Sequence, residues 1–316
     1  ANQKGGVGKT TTTVNLAAAV ALMGRRVLVV DLDPQAHATL HLGVDREAEG
    51  EAARGSVYDV LLDPGFPVES AVRKVRDNLW VLPAETDMAA LESELASVDP
   101  AARTTRLRGA LDSLGGRFDF IFIDCPPSLG VLTLNGLAAV REVFMPMQAH
   151  FLALQGVSKL LETVALVAKT VNPRLRVTGV ILCMHDTTST HTREVVQDLA
   201  DFFDRARAEG ADVPWKSARV LTPSIRRNIK LAECPSFGQT IFDYAPFCPG
   251  ALDYKALAER IVGEWDELLS RRAEMQAAPA KPVDATVAPA PAAGEATTPV
   301  VRPRRAKAPA SPQGAT

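Results

Sequence analysis

Near its start the chain reads Lys4-Gly5-Gly6-Val7-Gly8-Lys9-Thr10-Thr11, and this stretch limits what the chain can fold into more than any other. It matches the phosphate-binding pattern GxxxxGK(S/T), with Gln3 where the leading glycine usually stands. Glycines let the backbone curl so that successive N–H groups converge on one anion. In such a loop Lys9 reaches the β- and γ-phosphates of a nucleotide, and Thr10 offers a hydroxyl to Mg²⁺. Val7 and Thr11 complete the cradle. The alanine-rich run from Val14 to Met23 reads as the following helix, whose N-terminal dipole adds to the same anion site. A loop of this kind also needs a buried strand leading into it. Ala1 lies only three positions before Lys4, so the first strand is expected to be missing from the N-terminal end.

Beyond the helix, Arg26 to Asp33 (Arg-Val-Leu-Val-Val-Asp-Leu-Asp) has the continuous apolar run of a strand buried on both faces. Phe118 to Asp124 repeats the pattern and also ends in an acid. Charge is costly there unless the strand's carboxyl end opens onto a site. Further strands are expected at Leu79–Leu82, Val143–Pro146, Arg176–Met184, Arg219–Thr222 and Thr240–Phe242. Helices are expected at Val57–Leu62, Met88–Leu95, Thr104–Leu114, Gln155–Lys169, Thr192–Ala206 and Tyr254–Leu269. Strands and helices alternate almost throughout. The expected fold class is α/β: a P-loop NTPase with a doubly wound, mostly parallel sheet and helices on both faces. That domain is expected over 1–272. Residues 273–316 are Ala/Pro-rich and basic, cannot bury apolar area, and are expected to be a disordered tail.

Composition narrows the classes. With 47% hydrophobic and 23% charged residues the chain is ordinary for a soluble protein. No apolar run approaches the roughly 20 residues of a membrane span, and no signal peptide is evident. Cys125, Cys183, Cys234 and Cys248 lack CxxC spacing and read as reduced thiols. His37 and His41 are four apart but read as a solvated helix face rather than a zinc pair. The net charge is −2. Residues 271–316 hold seven Lys or Arg against three acids, which leaves the body at −6. Any contact with nucleic acid must therefore come from a local patch or the tail. Lys216, Arg219, Arg226, Arg227 and Lys230 fall within fifteen residues and form the candidate DNA-binding patch. Asp124 has the form of a Walker B aspartate, holding Mg²⁺ opposite Thr10.

A nucleotide site needs one loop lysine, and this loop has two. The doubled lysine resembles the deviant Walker A motif of the ParA/MinD group. The resemblance extends to Asp31-Leu32-Asp33-Pro34-Gln35, Ser56 to Leu62, Asp124-Cys125-Pro126-Pro127-Ser128-Leu129-Gly130, Leu152 to Gly156 and Arg227 to Gly238, and so covers most of residues 1–270. Together these segments are similar to ParA/Soj-type partitioning ATPases. The resemblance implies that Lys4 reaches across a dimer interface to the partner's nucleotide and that Asp33 helps to place the attacking water. Asp31 would support the loop and metal shell; spacing alone leaves open which aspartate does which, and Asp33 is a further candidate metal ligand. Asn228 would hydrogen-bond adenine. Here the chain has Ile225-Arg226-Arg227-Asn228, where many relatives carry a proline before the arginine.

The resemblance further implies a cytoplasmic, nucleoid-associated ATPase using ATP and Mg²⁺. It would form an ATP-dependent homodimer, bind DNA without sequence preference, and act with a ParB-like DNA-binding partner, without a membrane. Rival readings keep the fold and change the role. Membrane or septum positioning, as in MinD, needs an amphipathic C-terminal helix, and the tail offers Ala, Pro and Thr instead. A related tyrosine kinase needs tyrosines in the tail, which has none. An iron–sulfur carrier needs a second cysteine near Cys125. A switch that positions a protein assembly stays open.

Overall fold

The computed structural model describes residues 6–45, 54–149, 153–186, 190–210 and 212–277. The elements, in order, are α1 (Lys9–Leu22), β1 (Val27–Asp31), α2 (His37–His41), α3 (Val57–Leu62), α4 (Val68–Ala71), β2 (Arg73–Arg76) and β3 (Leu79–Leu82). Next come α5 (Leu91–Glu94), α6 (Pro100–Arg103), α7 (Arg106–Ser113), β4 (Phe120–Asp124), α8 (Val131–Ala139) and β5 (Glu142–Met147). The rest are α9 (Ala153–Thr170), β6 (Arg176–Leu182), α10 (Thr190–Ala208), β7 (Arg219–Leu221), α11 (Lys230–Glu233), α12 (Ile241–Tyr244) and α13 (Pro249–Ala277). Residues 1–270 form one compact unit; 271–316 are a second, of which only 271–277, the end of α13, are described.

The strands fall into two sheets, ordered β2-β3-β1-β4 and β5-β6-β7. Every pairing is parallel except β2 with β3. The continuous apolar run of β1 has a direct cause. Val27 and Val29 pack with α1 and α13 on one face, while Leu28 and Val30 pack with α3 and α7 on the other. All five residues of β1 are fully buried, and each large side chain so placed stabilises the fold by ~1.5–3 kcal/mol. A third cluster joins β5 and β6 to α9 and α10.

Several local expectations are corrected. Thr240–Phe242 is not a strand. Thr240 N donates to Asp243 Oδ2 at 3.1 Å, and the Thr240 hydroxyl donates to the same oxygen, which starts α12 instead. Met88–Leu95 is not one helix but a 3₁₀ turn over Thr86–Ala89, then α5, then a second 3₁₀ turn. β2 has the sequence Arg-Lys-Val-Arg, the charged pattern of an edge strand, which hides it from an apolar search. α8 is mostly apolar and buries even its polar Thr133 and Asn135, so it shows no helical stripe. His41 does not belong to a solvated face. It is 1% exposed, with Nε2 3.5 Å from Cys234 Sγ, and burial pushes its pKa down to about 4.

Candidate functional site

Gly6 and Gly8 adopt φ of 71° and 90°. These left-handed values cost any L side chain about 1–2 kcal/mol, which explains glycine at both positions. Gly8 caps α1, so the first free N–H groups of the helix open onto the loop. Lys9 and Thr10 open α1, and Thr11 follows them; Val7 is buried. Lys4 and Gly5 lie outside the described residues.

The carboxyl ends of β1 and β4 deliver the acids. Asp31 and Asp124 are register partners in the parallel ladder. Thr10 Oγ1 donates to Asp124 Oδ2 at 2.7 Å, and Thr13 Oγ1 donates to Asp124 Oδ1 at 3.2 Å. Thr13 was not picked out from the sequence; its position one helical turn after Thr10 was the available signal. Burial holds the Asp124 carboxyl above its ordinary range, and the hydroxyl of Thr10 pulls it back. Asp31 is raised to about 7, by burial and by the neighbouring Asp124 charge. It accepts from Thr39 N and Oγ1, both at 2.8 Å, and from Asp33 N at 3.1 Å. Asp31 therefore pins the segment that carries Asp33. Asp33 is buried, and its Oδ1 accepts from Gln35 N at 3.0 Å.

Lys9 is 9% exposed. Burial lowers its pKa, while Asp124, Asp33 and Cys125 work to raise it. One buried cation thus faces the acids from two strands at the mouth of a loop built for anions. Oxygen donors from a threonine and aspartates suit Mg²⁺. Among the described residues no group of three His, Cys, Asp or Glu could hold a metal by itself. That also fits Mg²⁺, which takes one or two carboxylates and fills its shell with phosphate and water.

Behind the loop, Thr12 Oγ1 lies 3.0 Å from Tyr254 OH and 3.4 Å from Cys183 Sγ, tying α1 to α13 and to the end of β6. Asn15 Oδ1 accepts from Ile241 N at 2.7 Å, tying α1 to α12. Gln148, one residue past β5, donates to Gly6 O at 3.3 Å.

The sequence matches the AAA domain family over residues 1–177. Over 267 residues, 84% of the chain, it is 44% identical to the chromosome-partitioning ATPase Soj of Thermus thermophilus, covering 95% of that protein. It is 39% identical over 264 residues to the chromosome partitioning protein ParA of Caulobacter vibrioides, spanning 83% of this chain and 92% of that one. The chain belongs to the ParA/Soj family. Among solved structures it is similar to cobyrinic acid a,c-diamide synthase from Mycobacterium smegmatis with bound ADP and magnesium. The TM-score is 0.67 at 36% identity, over 84% of this chain and 93% of that one.

Measured against the ParA/Soj resemblance, the remaining candidates are arranged as follows. Asn228 Oδ1 accepts from Lys230 N, the first residue of α11, at 2.9 Å. The five cations of the basic stretch are not equivalent. Arg219 pairs with Glu264, Arg226 with Asp253 at 2.7 Å, and Lys230 with Glu233 at 2.8 Å. Lys216 and Arg227 are exposed, and neither forms an ion pair among the described residues.

Proposed function

We propose that this chain is an ATP-dependent dimerising switch that segregates chromosome or plasmid DNA. It binds ATP with Mg²⁺ and transfers the γ-phosphoryl group to water. The observation that carries the reading is the meeting of Lys9, Thr10 and Asp124 at the Gly6–Gly8 loop. Lys9 and the N–H groups of the loop hold the β- and γ-phosphates; Thr10 and Asp124 hold the metal, with Asp33 alongside. Bound Mg²⁺ neutralises charge on the phosphoryl oxygens. Asp33 orients the attacking water, and Asp31, by fixing the Asp33 backbone, keeps that carboxylate aimed. Asn228 reads the adenine. Lys4 contacts the nucleotide of a second copy, so that the dimer forms only with ATP.

In this reading the dimer binds DNA without sequence preference, a ParB-like partner triggers hydrolysis, and the protein works on the nucleoid in the cytoplasm. No described helix is long and apolar enough to cross a membrane. A second reading keeps the switch and makes the cargo a protein assembly. One observation favours it: three of the five candidate DNA-binding cations are tied to carboxylates. The deciding experiment measures ATP affinity by calorimetry and DNA binding with and without ATP. Lys9→Ala is expected to weaken ATP binding about 100-fold, because a charge-assisted contact to phosphate is lost. Equal affinity in Lys9→Ala and the parent would refute the loop assignment. An ATP dimer that ignores DNA would transfer the reading to the protein cargo.

A further inference from the structure

Four threonines follow Lys9 at the start of α1, and a phosphate loop needs one hydroxyl. Threonine is a weaker helix former than alanine, because its branched side chain loses rotamers against the preceding turn. Further along, from Ala17 to Ala21, the same helix is mostly alanine. Thr10 carries the hydroxyl that the loop pattern requires. Thr12 ties α1 to Tyr254 and Cys183 behind the loop. Thr13 does neither: its hydroxyl crosses to the end of β4 and donates to Asp124 Oδ1 at 3.2 Å.

Helical spacing explains why Thr13 can reach that carboxylate. Residues three and four apart share a helix face, so Lys9, Thr10 and Thr13 line one side of α1. Asp124 is 2% exposed, so water has little part in orienting it. Its two carboxylate oxygens are divided between two hydroxyls: Oδ2 accepts from Thr10 at 2.7 Å, and Oδ1 accepts from Thr13. A single hydrogen bond would fix one oxygen and leave the carboxylate to turn about its Cβ–Cγ bond, which has only a broad two-fold preference. Two donors one helical turn apart fix its plane. A hydroxyl has one proton to donate, and Thr13 gives it to Asp124 rather than to a carbonyl of its own helix.

We infer that Thr13 is a positioning residue for the metal site: it holds Asp124 Oδ1 and so sets the plane in which that carboxylate meets Mg²⁺. The inference rests on the reading of Thr10 and Asp124 as the groups that hold the metal. Thr10 belongs to the metal's own shell, whereas Thr13 acts through Asp124. Mg²⁺ takes few protein ligands and demands near-ideal octahedral geometry, so the tilt of a carboxylate matters to it. Groups that orient a ligating carboxylate are worth roughly 10–100-fold in metal affinity. At 3.2 Å the Thr13 bond is long for a hydroxyl donor, which places its effect at the lower end of that range.

The test compares Thr13→Val, Thr13→Ser and Asp124→Asn with the parent 316-residue chain. Valine keeps the branched shape and removes the donor; serine keeps the donor and removes the methyl group. ADP affinity is measured by calorimetry in Mg²⁺ and in EDTA, and the Mg²⁺ concentration giving half-maximal ATP hydrolysis is measured alongside. Thr13→Val is expected to cut the Mg²⁺-dependent gain in ADP affinity roughly tenfold and to raise the half-maximal Mg²⁺ concentration by a similar factor. Its ADP affinity in EDTA should equal the parent's, and Thr13→Ser should keep most of the gain. If Thr13→Val weakens ADP equally in both buffers, or if Thr13→Ser loses as much as Thr13→Val, Thr13 only packs and the inference is overturned. If Asp124→Asn abolishes the gain while Thr13→Val leaves it intact, the positioning role is wrong and the metal reading stands. If Asp124→Asn itself leaves the gain intact, the metal reading falls and takes this inference with it.

Discussion

Thr10 Oγ1 donates to Asp124 Oδ2 at 2.7 Å, joining the first turn of α1 to the end of β4 across 114 residues. Both groups carry hard oxygens of the kind Mg²⁺ takes, and the hydrogen bond holds the two side chains together. Asp124→Asn keeps the shape and removes the charge. It is expected to lower ATP hydrolysis at least about 100-fold and to abolish the difference between ADP affinities measured with Mg²⁺ and with EDTA. Calorimetry in the two buffers checks this; an unchanged difference would remove Asp124 from the metal site.

Asp31 predicts a pH dependence with a definite sign. Its folded carboxyl titrates near 7, against an ordinary 3.8. Between those values the folded chain holds a proton that the unfolded chain has released. The favourable contribution is therefore complete below about pH 4 and is lost as pH rises through about 7, by at most about 4 kcal/mol. Asp31→Asn should flatten that part of the stability curve. Urea unfolding of both chains from pH 4 to 8, without nucleotide, measures it; parallel curves would contradict the assignment.

Dimerisation is expected to separate Lys4 from Asp33. Sedimentation should show monomer without nucleotide and dimer with ATP. Lys4→Ala should stay monomeric while still binding ATP, and Asp33→Ala should hold the dimer by slowing hydrolysis. A dimer indifferent to nucleotide and to Lys4 would sink the model.

The ion pairs change how the basic stretch has to be probed. Arg226 donates from its backbone N and its guanidinium to Asp253, which is 6% exposed. Arg226→Glu would set a second acid against it, and the resulting loss of stability would masquerade as lost binding. Lys216→Glu with Arg227→Glu leaves those pairs intact. If the patch binds DNA, that double variant should reduce affinity in ATP about tenfold or more and lower the salt slope by roughly 2 per subunit. If only truncation at Arg272 removes binding, the tail is the contact.

Much of this protein is legible as a string because its decisive signals are local. The Gly-Lys-Thr run, the apolar strands ending in Asp31 and Asp124, and the long helices at α9, α10 and α13 each follow from residues within a few positions of one another. Period and turn chemistry need no partner to be read. The Thr10–Asp124 pair was also within reach, since each half carries its own motif.

Tertiary structure alone decided the rest, because burial and charge compensation depend on what arrives from elsewhere in the chain. Thr240 and Asp243 make a helix start where an apolar pattern suggests a strand. His41, spaced like a surface histidine, is buried against Cys234, 193 residues away. Arg219 and Arg226 look like free cations in sequence, and Glu264 and Asp253 on α13 claim them. Spacing could nominate both Asp31 and Asp33 but not divide their roles. Asp31 is fully enclosed and spends its oxygens on Thr39 and the Asp33 backbone, whereas Asp33 lies beside Lys9. A carboxylate's role follows from which charges and donors surround it, and those neighbours come from four different elements.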